Sequence, residues 1–292
     1  MSELARKLTS PVNRLLAVLG IDSRAYWALV KAYLLMDFRN QQFAGATASG
    51  KGAVITPLFW VLGQNLMIGL FLGGFLFARV DAYFYGLAAL AASMIVMATS
   101  MIVEFNEVVL DPEDLNVIGH QPVPPRVYSA ARVSNLMVYV LTVTFTLNLF
   151  PAIIGVGLLD TSWWWLPAYT LAALIGNLSI TGLIILLYLL LLGGRPGDGA
   201  REYLAWTQVA MVALTFYGGQ MMLRDPNQKI QMLAYQLPEW VVYLPPAWLA
   251  MFVESTGPAA ATVLWWIPAM GVLLTVVIWT AVIWRLSAAY AR

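Results

Sequence analysis

Residues 161–194 read "TSWWWLPAYTLAALIGNLSITGLIILLYLLLLGG", an uncharged run bounded by Asp160 and Arg195. About 20 apolar residues cross the hydrocarbon core of a bilayer, and this run is longer than one span requires. Its Trp163-Trp164-Trp165 start has the composition of an aromatic belt at a membrane–water boundary. Five more long charge-free intervals lie along the chain: Lys51 to Arg79, Asp81 to Glu104, Arg132 to Asp160, Glu202 to Arg224 and Glu254 to Arg285. Each has room for one spanning helix. The expectation is an all-α polytopic membrane protein with six transmembrane helices.

Composition leads to the same class. Of 292 residues, 61% are hydrophobic and 11% charged, whereas a soluble domain has about 45–50% and about 25%. The mean hydropathy is +0.75. Too few charges are present to cover a water-facing surface, and disorder would need the opposite balance. A net charge of +1 leaves no basic footprint, which argues against a nucleic-acid partner. With no cysteine, disulfides, thiolate metal sites and thiol catalysis are excluded.

The loops set the expected orientation. Positive residues favour the cytoplasmic side, and an inside N-terminus leaves only Arg79, Arg224 and Lys229 of the sixteen Lys and Arg outside. An even number of spans returns the C-terminus to the cytoplasm. Arg6, Lys7 and Arg14 interrupt the N-terminus, and the short apolar stretch 15–21 lacks a small-residue cleavage site, so no cleavable signal is expected.

Residues 1–52 are too charged to span and too apolar for a free tail. Within them, "RAYWALVKAYLLMDFRN" from Arg24 mixes Trp27, Val30, Tyr33, Leu34 and Phe38 with Arg24, Lys31, Asp37 and Arg39. This predicts an amphipathic helix in the cytoplasmic interface, with Asp22 or Ser23 as its N-cap. A helix packed on another subunit is the alternative. Residues 53–292 then form the six-span domain.

Two connections inside that domain are elaborate. In the loop at about 108–126, Asp111-Pro112-Glu113-Asp114 is a helix start: a capping acid, a proline suited to the first position, and acids facing the dipole. Leu115, Val117 and Ile118 supply an apolar strip, Gly119 and His120 close it, and Pro122, Pro124 and Pro125 prevent its continuation. A short cytoplasmic helix on a stiff mount is predicted. At about 228–256, Pro238, Glu239, Pro245 and Pro246 divide an apolar stretch too finely for one span. Two short helices that enter the outer leaflet and return are expected there, with an ordinary seventh span as the alternative.

Few residues carry chemistry. Gly45 to Gly52 copies the glycine and lysine spacing of a phosphate-binding loop, but Gly52 stands where Ser or Thr must hold magnesium, and no strand precedes it. A small-residue linker is the better reading. His120 is the single histidine, which excludes His-pair metal sites. Glu104 and Glu107 lie one turn apart at the end of span two, against the helix dipole, and Arg126 and Arg132 stand equally misplaced at the start of span three. Pairing across the loop would neutralise both; separate snorkelling to water is the alternative.

Polar residues within the spans are neutral: Gln64, Asn65, Asn135, Asn148, Asn177, Thr207, Gln208 and Gln220. Ion-coupled carriers place ionisable groups at this depth, so self-powered transport is disfavoured. Joining helices by hydrogen bonds is the commoner use of such residues. Asn65, Asn135, Thr207, Gln208 and Gln220 are the candidates for lining a pathway.

The order of parts, with the "FNEVVLDPEDLNVIGHQPVPPRVYSAAR" loop and the "YLPPAWLAMF" segment, resembles the membrane subunit of a type-two ATP-binding-cassette exporter along nearly the whole chain. That resemblance implies a permease subunit, not itself an enzyme, in a cell inner membrane. Asp111, Pro112, Glu113, Asp114, Leu115, Val117, Ile118 and His120 would form the coupling helix docking on a separate ATPase, of which two copies are expected. The N-terminal helix would also touch the ATPase, and a second six-span permease, identical or homologous, would complete the pathway. No cofactor is expected on this chain; ATP and magnesium would sit on the ATPase. Unlike many relatives, this chain has no large extracellular domain and no fused ATPase. A nucleotide-independent channel or membrane scaffold is the competing reading.

Overall fold

A computed structural model describes residues 13, 14, 16, 17, 21–39, 57–76, 81–108, 124–158, 161–192, 206, 209, 213, 239–257 and 262–290. The α-helices with described bounds are α1 (Ser23–Arg39), α2 (Pro57–Leu76), α3 (Ala82–Val108), α4 (Pro125–Leu158), α5 (Trp165–Leu192), α6 (Pro245–Glu254) and α7 (Trp266–Tyr290), with a 3-10 turn at Glu239–Tyr243 before α6. No strand is present among the described residues. Helices suit such a chain because every backbone donor and acceptor in hydrocarbon must find a partner within the protein.

Among the described residues, four helices contain stretches long and apolar enough to cross a membrane: Ala82–Ile102, Ala130–Gly157, Trp165–Leu190 and Trp266–Leu286. The chain is therefore a membrane-embedded, all-helical protein. In α2 the apolar stretch Leu62–Gly74 is shorter. The fifth expected span falls on residues 203–223, of which only Trp206, Val209 and Ala213 are described, and the phosphate-loop look-alike at 45–52 lies outside the described residues.

Local chemistry sets the helix starts. The Asp22 carboxylate accepts the Arg24 N–H at 2.9 Å, and its carbonyl accepts Tyr26 N–H at 3.0 Å, so Asp22 is the cap of α1. Asp81 does the same for α3, accepting Phe84 N–H on its carboxylate at 2.9 Å and Tyr85 N–H on its carbonyl at 3.0 Å. α4 opens at Pro125, where the missing N–H costs nothing. α6 begins with Pro245 and Pro246, and Leu244 before them is extended (φ −84°, ψ 143°). That residue separates the 3-10 turn from α6, as proline requires of its predecessor.

Two compact units are defined. The first comprises Met1–Trp60, Asn106–Tyr139 and Ile283–Arg292. Its described core joins Leu16, Tyr26, Val30 and Tyr33 to Val127, Tyr128 and Ala131 of α4. Tyr26, Val30 and Tyr33 fall on one face of α1 by helical spacing, so that face is covered by protein. Ser134 donates to the Ala130 carbonyl at 2.9 Å, which leaves Tyr26 as the donor in its 2.6 Å bond to Ser134.

The second unit comprises Val61–Phe105 and Val140–Val282. Its largest core gathers Tyr85 and Leu90 of α3, Trp165, Tyr169 and Ala172 of α5, Leu249, Phe252 and Val253 of α6, and Ile267 of α7. With ten residues, α6 is about 15 Å long, half the hydrocarbon thickness, and it packs on α5. The buried Ser255 hydroxyl donates to the Phe252 carbonyl at 2.6 Å and accepts Leu264 N–H at 3.1 Å, tying the end of α6 to the approach of α7.

Candidate functional site

Between α3, α4 and α5 the apolar core gives way to a buried cluster of uncharged polar groups. Asn148 on α4 lies at its middle. Its amide donates to Ser93 Oγ of α3 at 2.8 Å and to the Thr144 carbonyl at 2.9 Å, while its oxygen accepts the Tyr169 hydroxyl of α5 at 3.0 Å. Asn177, two turns along α5 from Tyr169, donates to the same Ser93 Oγ at 2.9 Å and to Thr144 Oγ1 at 3.2 Å. Ser93, Thr144, Asn148, Tyr169, Asn177 and Thr181 are all buried.

Nearby, the Tyr85 hydroxyl reaches the Pro151 carbonyl at 3.2 Å and the Gly73 carbonyl at 3.5 Å, linking α3 to α4 and α2. Tyr169 stacks on Trp165 with ring centroids 6.0 Å apart. Farther along α5, Ser179 donates to Thr275 of α7 at 2.7 Å, since the Thr275 proton is used on the Gly271 carbonyl. The Trp279 indole donates to the Leu178 carbonyl at 3.1 Å. The chemistry available is hydrogen bonding without charge: the cluster can hold helices together or meet a neutral polar group, but it offers no ion a counter-charge.

The other sequence candidates are distributed as follows. Asn65 on α2 and Asn135 on α4 are buried. Arg132 is buried eight residues into α4, inside the apolar stretch, with its guanidinium 5.4 Å from the centre of the Tyr33 ring of α1. That is cation–π range, a contact between α1 and α4. Glu104 and Glu107 lie on the last turns of α3 and Arg126 on the first of α4; their side chains are outside the described set, as are Asp111 to His120, Thr207, Gln208 and Gln220. Among the described residues no group of His, Asp and Glu is placed to hold a metal ion.

The sequence reading does not single out Ser93, Thr144, Tyr169 or Thr181. A signal existed: Thr144–Asn148 and Asn177–Thr181 are each spaced by four, which puts two polar side chains on one face of an apolar helix. Outside the spans, partial burial and the neighbouring Asp81 carboxylate raise the Glu254 carboxyl above the usual range.

No family model, curated protein or solved structure matches this chain.

Proposed function

We propose that this chain is the permease subunit of an ATP-driven exporter of the ATP-binding-cassette kind, with six spans and both termini in the cytoplasm. The observation that carries the reading is the order of unusual helices around the apolar ones. A helix capped by Asp22 precedes the first apolar helix and packs on the start of α4. Near the other end, the ten-residue α6 opens on a proline pair and is sunk in the core immediately before the last span. Such a sequence of parts fits a permease with an interfacial helix and an outer re-entrant segment at about 228–256, of which α6 is the returning arm. A simple channel has no need of either. The short helix from Asp111 to His120 would dock on the ATPase, and a second permease would face this one across the pathway.

Copurification and coupled hydrolysis test this. Replacing Leu115 and Ile118 together with Asp should detach or uncouple the ATPase while the membrane helices still insert, because burying each such side chain is worth about 1.5–3 kcal/mol. A double variant that binds the ATPase and transports normally would remove the coupling role. Transport by the purified chain without nucleotide would assign it to the channels instead.

A further inference from the structure

Thr181 breaks a pattern. Thr99, Thr146, Thr170, Thr275 and Thr280 each give their hydroxyl proton to the carbonyl four residues back, the usual refuge for a hydroxyl on an apolar helix. Thr181 has 0% exposure, yet its Oγ1 takes neither that carbonyl nor any other partner. One turn earlier on the same face of α5, Asn177, also at 0% exposure, spends its amide hydrogens on Ser93 and Thr144 and leaves Oδ1 without a donor.

Two orphaned polar atoms on one buried helix face are costly apart and readily served together. Leaving one such group unsatisfied costs about 1–3 kcal/mol. We propose that Asn177 and Thr181 hold an ordered internal water that completes the neutral cluster between α3, α4 and α5. Water donates a proton to Asn177 Oδ1 and either accepts from or donates to the Thr181 hydroxyl. The assignment does not depend on which end of the amide is oxygen. With the amide turned over, the Ser93 and Thr144 hydroxyls donate to its oxygen, and the outward NH2 donates to the same water. Among the described residues no charge belongs to the cluster, so the site suits a neutral molecule and not an ion. Buried waters of this kind ordinarily bridge two to four such groups. The inference is independent of the transport reading, since it rests only on the packing of α5.

The full chain in detergent or nanodiscs provides the test, because the two alternatives predict opposite signs. Thr181→Val keeps shape and removes the hydroxyl. If a water is held there, the melting temperature falls by about 2–4 °C, while Thr181→Ser leaves it within about one degree. If the two groups are simply unsatisfied, Thr181→Val removes a buried penalty, and the melting temperature rises or stays level; either result overturns the site. Magnetisation transfer from water to the Asn177 side-chain amide, assigned by its loss in Asn177→Leu, reads the same water directly. The transfer should be present in the wild type and lost in Thr181→Val. Its absence from the wild type overturns the site whatever the melting curves show.

Discussion

At the residue scale, the Asn148 side chain makes three hydrogen bonds, two donated and one accepted. Hydrogen bonds between membrane helices average about 0.6 kcal/mol and reach about 1.7. Asn148→Leu removes three and strands the Tyr169 hydroxyl, so it should destabilise by about 1–3 kcal/mol, read as a lower melting temperature of the full chain in detergent. Tyr169→Phe, which removes one bond and leaves one acceptor, should cost less. Glu254 gives a pH-dependent counterpart. Its carboxyl is raised by partial burial and by Asp81, so the folded state favours the protonated form. The associated stability is present at low pH and is lost as pH rises through the raised value. Glu254→Gln should flatten that part of the stability-versus-pH curve, and an unchanged curve would show that this carboxyl does not contribute.

At the scale of elements, the close approach of α2 to α4 depends on glycines at one spacing. Pro151 has no N–H, so the Leu147 carbonyl one turn earlier lacks its helical donor. Gly69 of α2 lies against that carbonyl, where a Cβ would collide with its oxygen, and Gly73 meets Pro151 itself. Gly155 is filled in the same way by the Trp165 indole, and a Cβ there would overlap the ring nitrogen. Gly69→Ala and Gly155→Ala should each cost about 1–3 kcal/mol through overpacking. Gly63→Ala and Gly74→Ala, with nothing within 4 Å of the added carbon, are the controls. They should be neutral or stabilise by up to about 1 kcal/mol, the helix preference for Ala over Gly. Chemical denaturation of the four variants separates the pairs. The start of α1 was legible because a capping acid acts on the next few residues. The proline break ahead of α6 was legible for the same reason: proline constrains its immediate neighbour. The partners of Gly69 and Gly155 were not, because each lies on another helix far along the chain.

At the scale of the whole molecule, the proposed topology can be tested on a background free of cysteine. Single cysteines at Asp160 and Asn227 should react with a membrane-impermeant reagent from outside, and those at Asp114 and Gly197 should not. External labelling at Asp114 would reverse the orientation and remove the proposed ATPase contact with it. The same consideration of scale applies to the candidate site. Asn148 and Asn177 join α3, α4 and α5 by hydrogen bonds, the use that sequence favours for most span amides without saying which. Their shared hydroxyl, Ser93, lies 55 and 84 residues away in the chain.

What the sequence determined alone is the solvent and the element type. Charge-free runs of spanning length leave an apolar helix as the only structure that satisfies its own backbone in lipid. Caps and prolines then placed the starts of α1 and α6, since those forces act within a few residues. Only the tertiary structure decided which faces are inside. Span composition is nearly uniform around each helix, so periodicity could not tell the buried stripe of α5 from its exposed one. Burial of Arg132 against Tyr33, the sharing of Ser93 by two amides and the orphaned Thr181 hydroxyl all depend on how helices distant in sequence pack. In a chain this apolar, hydrophobicity selects the membrane, and close packing with a few hydrogen bonds selects the neighbours.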